Sequence, residues 1–345
     1  MKKVCVIGHF GFGKELLNGQ TIKTKIVTEE LERQLGKKQV MKIDTHGGVK
    51  SLLKLPFQAF SALKKCDNII IFPAHNGLRI ITPILSVENK LFHRKLHYVV
   101  IGGWLPNFVE NRRTLKNLLQ RYDYIYVETS TMKKMLKEKG FRNIDIMPNC
   151  KNIPILSEKE LTYTASEPYK LCTFSRVMKE KGIEDAICAV KQVNNQLGRI
   201  ACILDIYGQI DSNQTEWFED LRQKFPDFIR YCGCVDADKS VEILKDYYAL
   251  LFPTHFYTEG IPGTIIDAYA AGVPVISAKW ESFDDVVDEG KTGFGYEFGC
   301  CELLSIEINK CLKNKNEFII KRNCIKKAEE YILTNSVGIL IKNLN

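Results

Sequence analysis

The chain has 345 residues, 45% hydrophobic and 26% charged, with a net charge of +8. That length allows two domains, the composition is that of a globular protein rather than a disordered or fibrous one, and no apolar run approaches the ~20 residues that span a bilayer. Residues 1–150 hold 26 Lys and Arg against 12 Asp and Glu, whereas the remainder holds 23 against 29, so the first half expects an anionic partner: a membrane surface, a nucleic acid or a phosphate-bearing ligand.

The opening MKKVCVIGHFGFG has only five apolar residues before Gly8, too few for a signal-peptide core. It predicts a first strand, Val4 to Ile7, in a cytoplasmic protein. A glycine-rich loop follows, then a helix over 21–35 with Ile22, Ile26, Val27 and Leu31 on one face. Gly8, Gly11 and Gly13 lack the spacing of a dinucleotide fingerprint, and Asp44 comes late for a ribose-binding acid. The next helix, KSLLKLPFQAFSALKK over 50–65, is apolar between basic ends. It suits a crossover helix packed on a sheet, a membrane-skimming helix, or both at once.

Buried strands are predicted at 68–73, 98–101, 124–127 and 145–147, with basic helices at 112–121 and 133–139 between them. After the strand at 98–101 the chain reads GGWLP, and Trp104 there is either a ring that stacks on a ligand or rim packing. Residues 151–169 lack a clear period and read as a linker between a domain over 1–150 and another over 170–330. The second restarts with a strand at 170–174, after which Arg176 and Lys181 stand beside the start of a helix near Ile183. Two more strands end at Gly208 and at the Gly233-Cys-Val235 turn. Alternation of strands and helices in both halves predicts doubly wound parallel sheets, with ligands at the carboxyl ends of strands.

The stretch THFYTEGIPGTIIDAYAAGVPVIS, 254–277, carries the densest chemical signal. An apolar strand at 249–253 runs into a loop with Glu259, then Gly260, Pro262 and Gly263, then a short helix from Thr264 with Asp267 in its first turn. Glycines before a helix let amides approach an anion, and the helix start favours negative charge. Carboxylates repel phosphate, so Glu259 and Asp267 better suit sugar hydroxyls. Twelve cysteines occur without a CxxC pair or a nearby His cluster, which predicts reduced, mostly buried thiols.

The stretch resembles the donor signature of glycosyltransferase family 4, retaining enzymes of the GT-B fold, with seven residues between the two acids and Asp267 in place of the second Glu. The resemblance covers essentially the whole chain and implies an α/β, GT-B architecture of two Rossmann-like doubly wound domains facing a cleft, with 331–345 returning to the first domain. It implies transfer of a sugar from a UDP- or GDP-linked donor to an acceptor hydroxyl without a metal. The acceptor expected is a lipid-linked or other oligosaccharide in capsule, exopolysaccharide or O-antigen assembly. By the same resemblance Arg176 and Lys181 grip the donor diphosphate and Glu259 holds the sugar. Asp267 meets the ribose, Val235 the base, and Gly13, Gly208, Gly260, Ile261, Pro262, Gly263 and Thr264 complete the donor contacts. On the acceptor side, the Asn18-Gly19-Gln20 stretch recurs in capsule-type members, and His9, His75 and Trp104 are candidates. Gly103 or Trp104 stands where a histidine is common. A sugar-nucleotide epimerase and a non-catalytic binding protein of the same fold are the alternatives. An anionic membrane surface is the expected macromolecular partner, and no nucleic-acid motif accompanies the basic half.

Overall fold

A computed structural model describes residues 2–14, 19–163, 166–314 and 316–344. The chain divides into two compact units, 1–152 with 331–345, and 153–330.

The first unit opens with β1 (Lys2–Gly8), α1 (Gly19–Leu35), β2 (Val40–Asp44), α2 (Val49–Lys65), β3 (Cys66–Ile71), α3 (His75–Phe92) and β4 (Lys95–Val99). Then come α4 (Leu105–Glu110), α5 (Arg113–Leu119), β5 (Tyr124–Val127), α6 (Ser130–Glu138) and β6 (Ile144–Ile146). Its parallel sheet has the order β2-β1-β3-β4-β5-β6. The central strands are continuous apolar runs because both faces are covered. One face packs under α2, α3, α5 and α6 through Leu55, Leu63, Ile81, Leu119 and Leu136. The other packs under α1 through Val27 and Leu31.

The second unit contains β7 (Tyr169–Phe174), α7 (Ile183–Leu197), β8 (Cys202–Tyr207), α8 (Thr215–Arg222), β9 (Ile229–Gly233), α9 (Ser240–Leu244) and β10 (Ala249–Phe252). It continues through α10 (Gly263–Ala270), β11 (Val275–Ala278), α11 (Phe283–Val286), β12 (Gly293–Tyr296), α12 (Leu304–Lys313) and α13 (Glu317–Ala328). Its parallel sheet has the order β12-β11-β10-β7-β8-β9.

The last helix, α14 (Leu333–Lys342), belongs to the first unit. It packs on α1, and Val337 and Leu340 are fully buried in the α1 face of the core. A buried polar network fixes its end to the sheet. Asn343 Nδ2 donates to the Tyr126 hydroxyl at 3.1 Å and Asn68 Nδ2 to the Leu344 carbonyl at 3.1 Å. His97 links the two, 3.0 Å from Asn68 Oδ1 and 3.2 Å from the Tyr126 hydroxyl. Burial pushes the His97 imidazole down to about 3. The unfolded chain takes up that proton below its ordinary value near 6.5, and the folded chain does not. The stability contributed is complete above pH 6.5 and falls by about 1.4 kcal/mol per pH unit below it. Thermal melts between pH 7 and 5 are therefore expected to decline less steeply for His97→Gln than for the unaltered chain.

Several expectations change. Helix α1 begins two residues before Thr21 and its buried side is largely polar, with Thr21, Lys23, Thr24, Thr28 and Glu30 beside Val27 and Leu31, while Ile22 points outward. Hydroxyls that bond the carbonyl one turn back satisfy it internally, Thr24 on Gln20 and Thr28 on Thr24. Residues 153–163 are not a free linker. The Leu156 amide bonds the Ala270 carbonyl at 2.9 Å, Ser157 and Glu160 form a capping box, and Leu161 is buried where a Cβ on Gly272 would meet it at 2.3 Å. All twelve cysteines are free and seven are buried. Cys232 is exposed because β9 is an edge strand and its side chains alternate.

Candidate active site

In the second unit the chain leaves β7 toward β8 and β9, then returns to β10 on the other side. The carboxyl ends of β7 and β10 flank that reversal, the place where open α/β sheets bind ligands. Arg176 and Lys181 follow β7, and Thr254 and Glu259 follow β10.

Two glycines allow the strand ends to close on each other. Gly182 has φ 69°, and a Cβ there would lie 1.9 Å from the Pro253 carbonyl oxygen. Gly208 has φ 133°, and a Cβ there would lie 1.8 Å from the Ser175 carbonyl oxygen. Only a residue without a side chain fits either contact. The close approach seats the turn Lys179–Lys181 over the end of β10. The His255 amide bonds the Glu180 carbonyl at 2.9 Å, and His255 Nε2 lies 2.6 Å from Asp185 Oδ2.

Lys181 Nζ pairs with Glu259 Oε1 in a short contact, and the two side chains are 18% and 19% exposed. Thr254 Oγ1 donates to the same carboxylate oxygen at 3.3 Å. The ammonium also sits 4.9 Å from the Phe256 ring centre and 5.5 Å from that of Phe252, which adds cation–π attraction. Arg176 is held loosely. Its guanidinium is 48% exposed and reaches Asp211 Oδ2 only at 3.5 Å. One cation is thus pinned by a carboxylate and the other is open to solvent.

Pro262 caps α10 in extended conformation, and the helix opens on Gly263 and Thr264. Its first amides have no intrahelical acceptor. The Thr264 hydroxyl is buried with no hydrogen-bond partner among the described residues. Ile261 is buried, and Trp280 Nε1 donates to the Gly260 carbonyl at 3.3 Å, which braces the loop from behind. Asp267 lies one residue deeper than expected, just past the first turn, because the helix starts at Gly263, and it is buried. Val235 is half-buried just beyond β9. Sequence reasoning passed over Asp211, Thr254, Phe256 and Trp280. None lies in a recognisable spacing, and each joins the site through a contact the fold creates.

In the first unit the acceptor-side candidates occupy the carboxyl edge of the sheet. His9 follows β1, with Nδ1 2.7 Å from Thr21 Oγ1 and Nε2 2.9 Å from His46 Nδ1. Burial, then the neighbouring His46, lowers its pKa. Asp44 accepts the amides of Phe10, Phe12 and His46 at 2.8–3.0 Å and holds the loop around the pair. His46 was not anticipated. Gly19 and Gln20 are not loop residues but the first residues of α1, where Gln20 Nε2 donates to the Phe72 carbonyl at 3.0 Å. Gly13 lies in the preceding loop with φ 79° and open space around it, and Asn18 falls outside the described residues. His75 starts α3, and its ring stacks on Trp104 at 3.9 Å. One face of the indole is therefore already covered, while its Nε1 donates to the Ile101 carbonyl at 2.7 Å. Behind this edge Lys23 Nζ forms a buried ion pair with Glu128 Oε1 at 2.5 Å. Lys23 also donates to the Val100 carbonyl, and Glu128 accepts the Gly102 amide.

The family described as glycosyl transferases group 1 matches residues 158–331. The GtfA subunit of a UDP-N-acetylglucosamine–peptide N-acetylglucosaminyltransferase of Streptococcus gordonii is 29% identical over 182 residues, 50% of this chain and 34% of that protein. A glycosyltransferase of Methanocaldococcus jannaschii is 23% identical over 214 residues, 58% of this chain and 52% of its own. The chain thus spans about a third of the streptococcal relative and about half of the archaeal one. Among solved structures, sucrose-phosphate synthase from Thermosynechococcus elongatus superposes with a TM-score of 0.78. Anabaena HepE in complex with UDP and glucose gives 0.73. Each covers 100% of this chain and is covered to 99%, at 15% identity, a likeness of fold.

Proposed function

The chain belongs to the group 1 glycosyl transferases, and from that membership we propose that it moves a sugar from a uridine diphosphate donor to an acceptor hydroxyl, with retention at the anomeric carbon. The observation that carries this reading is the set at the β7–β10 reversal. Arg176 and Lys181 follow β7, Glu259 and the start of α10 follow β10, and Lys181 pairs with Glu259 across the reversal. Such groups stabilise the charge that develops on the leaving diphosphate. The uridine assignment is supported by the donor in the streptococcal relative's name and by the UDP in the Anabaena structure. The acceptor we assign is a lipid-linked oligosaccharide of capsule, exopolysaccharide or O-antigen assembly, met at the inner face of the cell membrane, in keeping with the basic first half of the chain.

The Lys181–Glu259 pair gives the site a sequence of events. Glu259 holds the Lys181 ammonium in a short contact. A bound diphosphate draws the ammonium away, and the released carboxylate accepts sugar hydroxyls. Glu259→Gln is then expected to cut transfer by at least ~10²-fold while binding free UDP as tightly as before or more tightly, because the competitor for Lys181 is gone. Asp267→Asn is expected to lose far less. Transfer rates and UDP titration calorimetry on both variants check this. A Glu259→Gln protein that turns over normally, or an Asp267→Asn protein that is the worse of the two, refutes the assignment. UDP binding without transfer to any acceptor in the unaltered chain favours a binding protein instead.

A further inference from the structure

Helix α2 is apolar on two opposite faces. Leu55, Ala59, Ala62 and Leu63 point into the core. On the other side Leu53, Phe57 and Phe60 recur at the four- and three-residue spacing of one helical stripe and stand out from the protein, with Leu53 70% and Phe57 80% exposed. Helix α3 packs beside α2 in the same layer and repeats the pattern, with Val87 and Leu91 outward and Leu91 73% exposed. The Phe60 and Phe92 rings meet edge to face at 5.0 Å, so the two stripes form one ridge. An amphipathic helix explains one apolar face, never the second. Large apolar side chains gathered outside mark a surface that is covered in use.

The charges around the ridge say what covers it. Lys54, Lys64 and Lys65 are exposed on α2, which contains no acidic residue, and Arg79 and Lys90 are exposed on α3, whose one acid, Glu88, is half-buried. A second copy of the same face would bring two sets of cations together, whereas a flat anionic surface with an apolar interior complements both features.

We infer that the α2–α3 ridge inserts into the headgroup region of an anionic lipid bilayer, with Leu53, Phe57 and Leu91 below the phosphates and Lys54, Lys64, Lys65 and Lys90 level with them. No helix among the described residues is long and apolar enough to cross a membrane, so the attachment is peripheral at this ridge. The inference rests on the membrane-side acceptor of the previous section for its purpose, but the test uses vesicles that contain no acceptor, so the two fail separately.

The full chain is expected to pellet with vesicles of phosphatidylglycerol and phosphatidylcholine and to pellet at least tenfold less with phosphatidylcholine alone, since each lysine at an anionic surface contributes about fivefold. Raising salt weakens the binding without abolishing it, because apolar insertion is not screened. Phe57→Ser with Leu91→Ser lowers partitioning at least tenfold at an unchanged melting temperature, since both side chains are already in water. Phe57→Trp gives a blue-shifted emission with anionic vesicles. The ridge is not a membrane surface if the unaltered chain does not pellet, if the double serine variant pellets equally, or if the indole emission of the Phe57→Trp variant stays at its value in water. A dimer in light scattering that the serine variant dissolves would likewise overturn the inference in favour of self-association. Transfer to a soluble acceptor should be unchanged in the serine variant.

Discussion

Arg176→Ala is expected to lower the rate of sugar transfer by roughly 10²–10³-fold while the protein melts where the unaltered chain does. The two halves of that expectation have separate causes. The guanidinium is half in solvent and its contact with Asp211 is long, and exposed pairs of this kind contribute about 0–1 kcal/mol to stability. A charge-assisted bond to phosphate, by contrast, is short and strong, and it tightens as the diphosphate takes up negative charge. Lys181→Met should cost as much in rate, and it leaves the Glu259 carboxylate without its ammonium. The measurement is kcat and KM for one identified donor alongside a melting curve. Near-normal transfer in both variants removes these residues from the diphosphate site, and a large fall in melting temperature for Arg176→Ala shows that its role is structural.

The largest loss of stability is expected from Lys23→Met. Lys23 and Glu128 are both buried, and their pair joins α1 to the ends of β4 and β5 through the Val100 carbonyl and the Gly102 amide. Removing the lysine strands a carboxylate in the interior, which costs about 3–5 kcal/mol, whereas replacing both partners by apolar residues of similar volume is often close to neutral. Lys23→Met with Glu128→Leu should therefore recover most of what Lys23→Met loses. Hydrogen exchange of first-unit peptides under increasing urea reads the difference. A single variant as stable as the parent, or a double variant no better than the single, contradicts the account.

How far the sequence could be read depended on where each element hides its information. The strands and the loop before α10 were legible because buried parallel strands are unbroken apolar runs and because Gly260, Pro262, Gly263 and Gly272 punctuate α10. Arg176, Lys181 and Glu259 do gather at one sheet reversal, as strand order requires once Arg176 and Lys181 follow β7 and Glu259 follows β10. Helix α1 misled because its core side is threonine, lysine and glutamate, so hydrophobic period pointed at Ile22, which faces out. Helix α3 carries Pro83 inside it and Gly77 in its first turn, two local stop signals that packing over the sheet overrides. The partner of Lys23 lies 105 residues away, and nothing local announces it. The outward stripe of α2 was present in the sequence as a helix with lysines at its borders. Only the buried set, Leu55, Ala59 and Leu63, shows that Leu53 and Phe57 are surplus to the core.

The place of α14 bears on how the chain is made. Synthesis runs from the amino end, and the whole second unit, 153–330, is added between the sheet of the first unit and the helix that covers it. At 5–20 residues per second that interval lasts roughly 10–35 s. Throughout it, the side of the nascent sheet destined for Val337 and Leu340 lies open to water, and Asn68 waits for Leu344. A chaperone met during that interval would find its binding surface on the half that was made first.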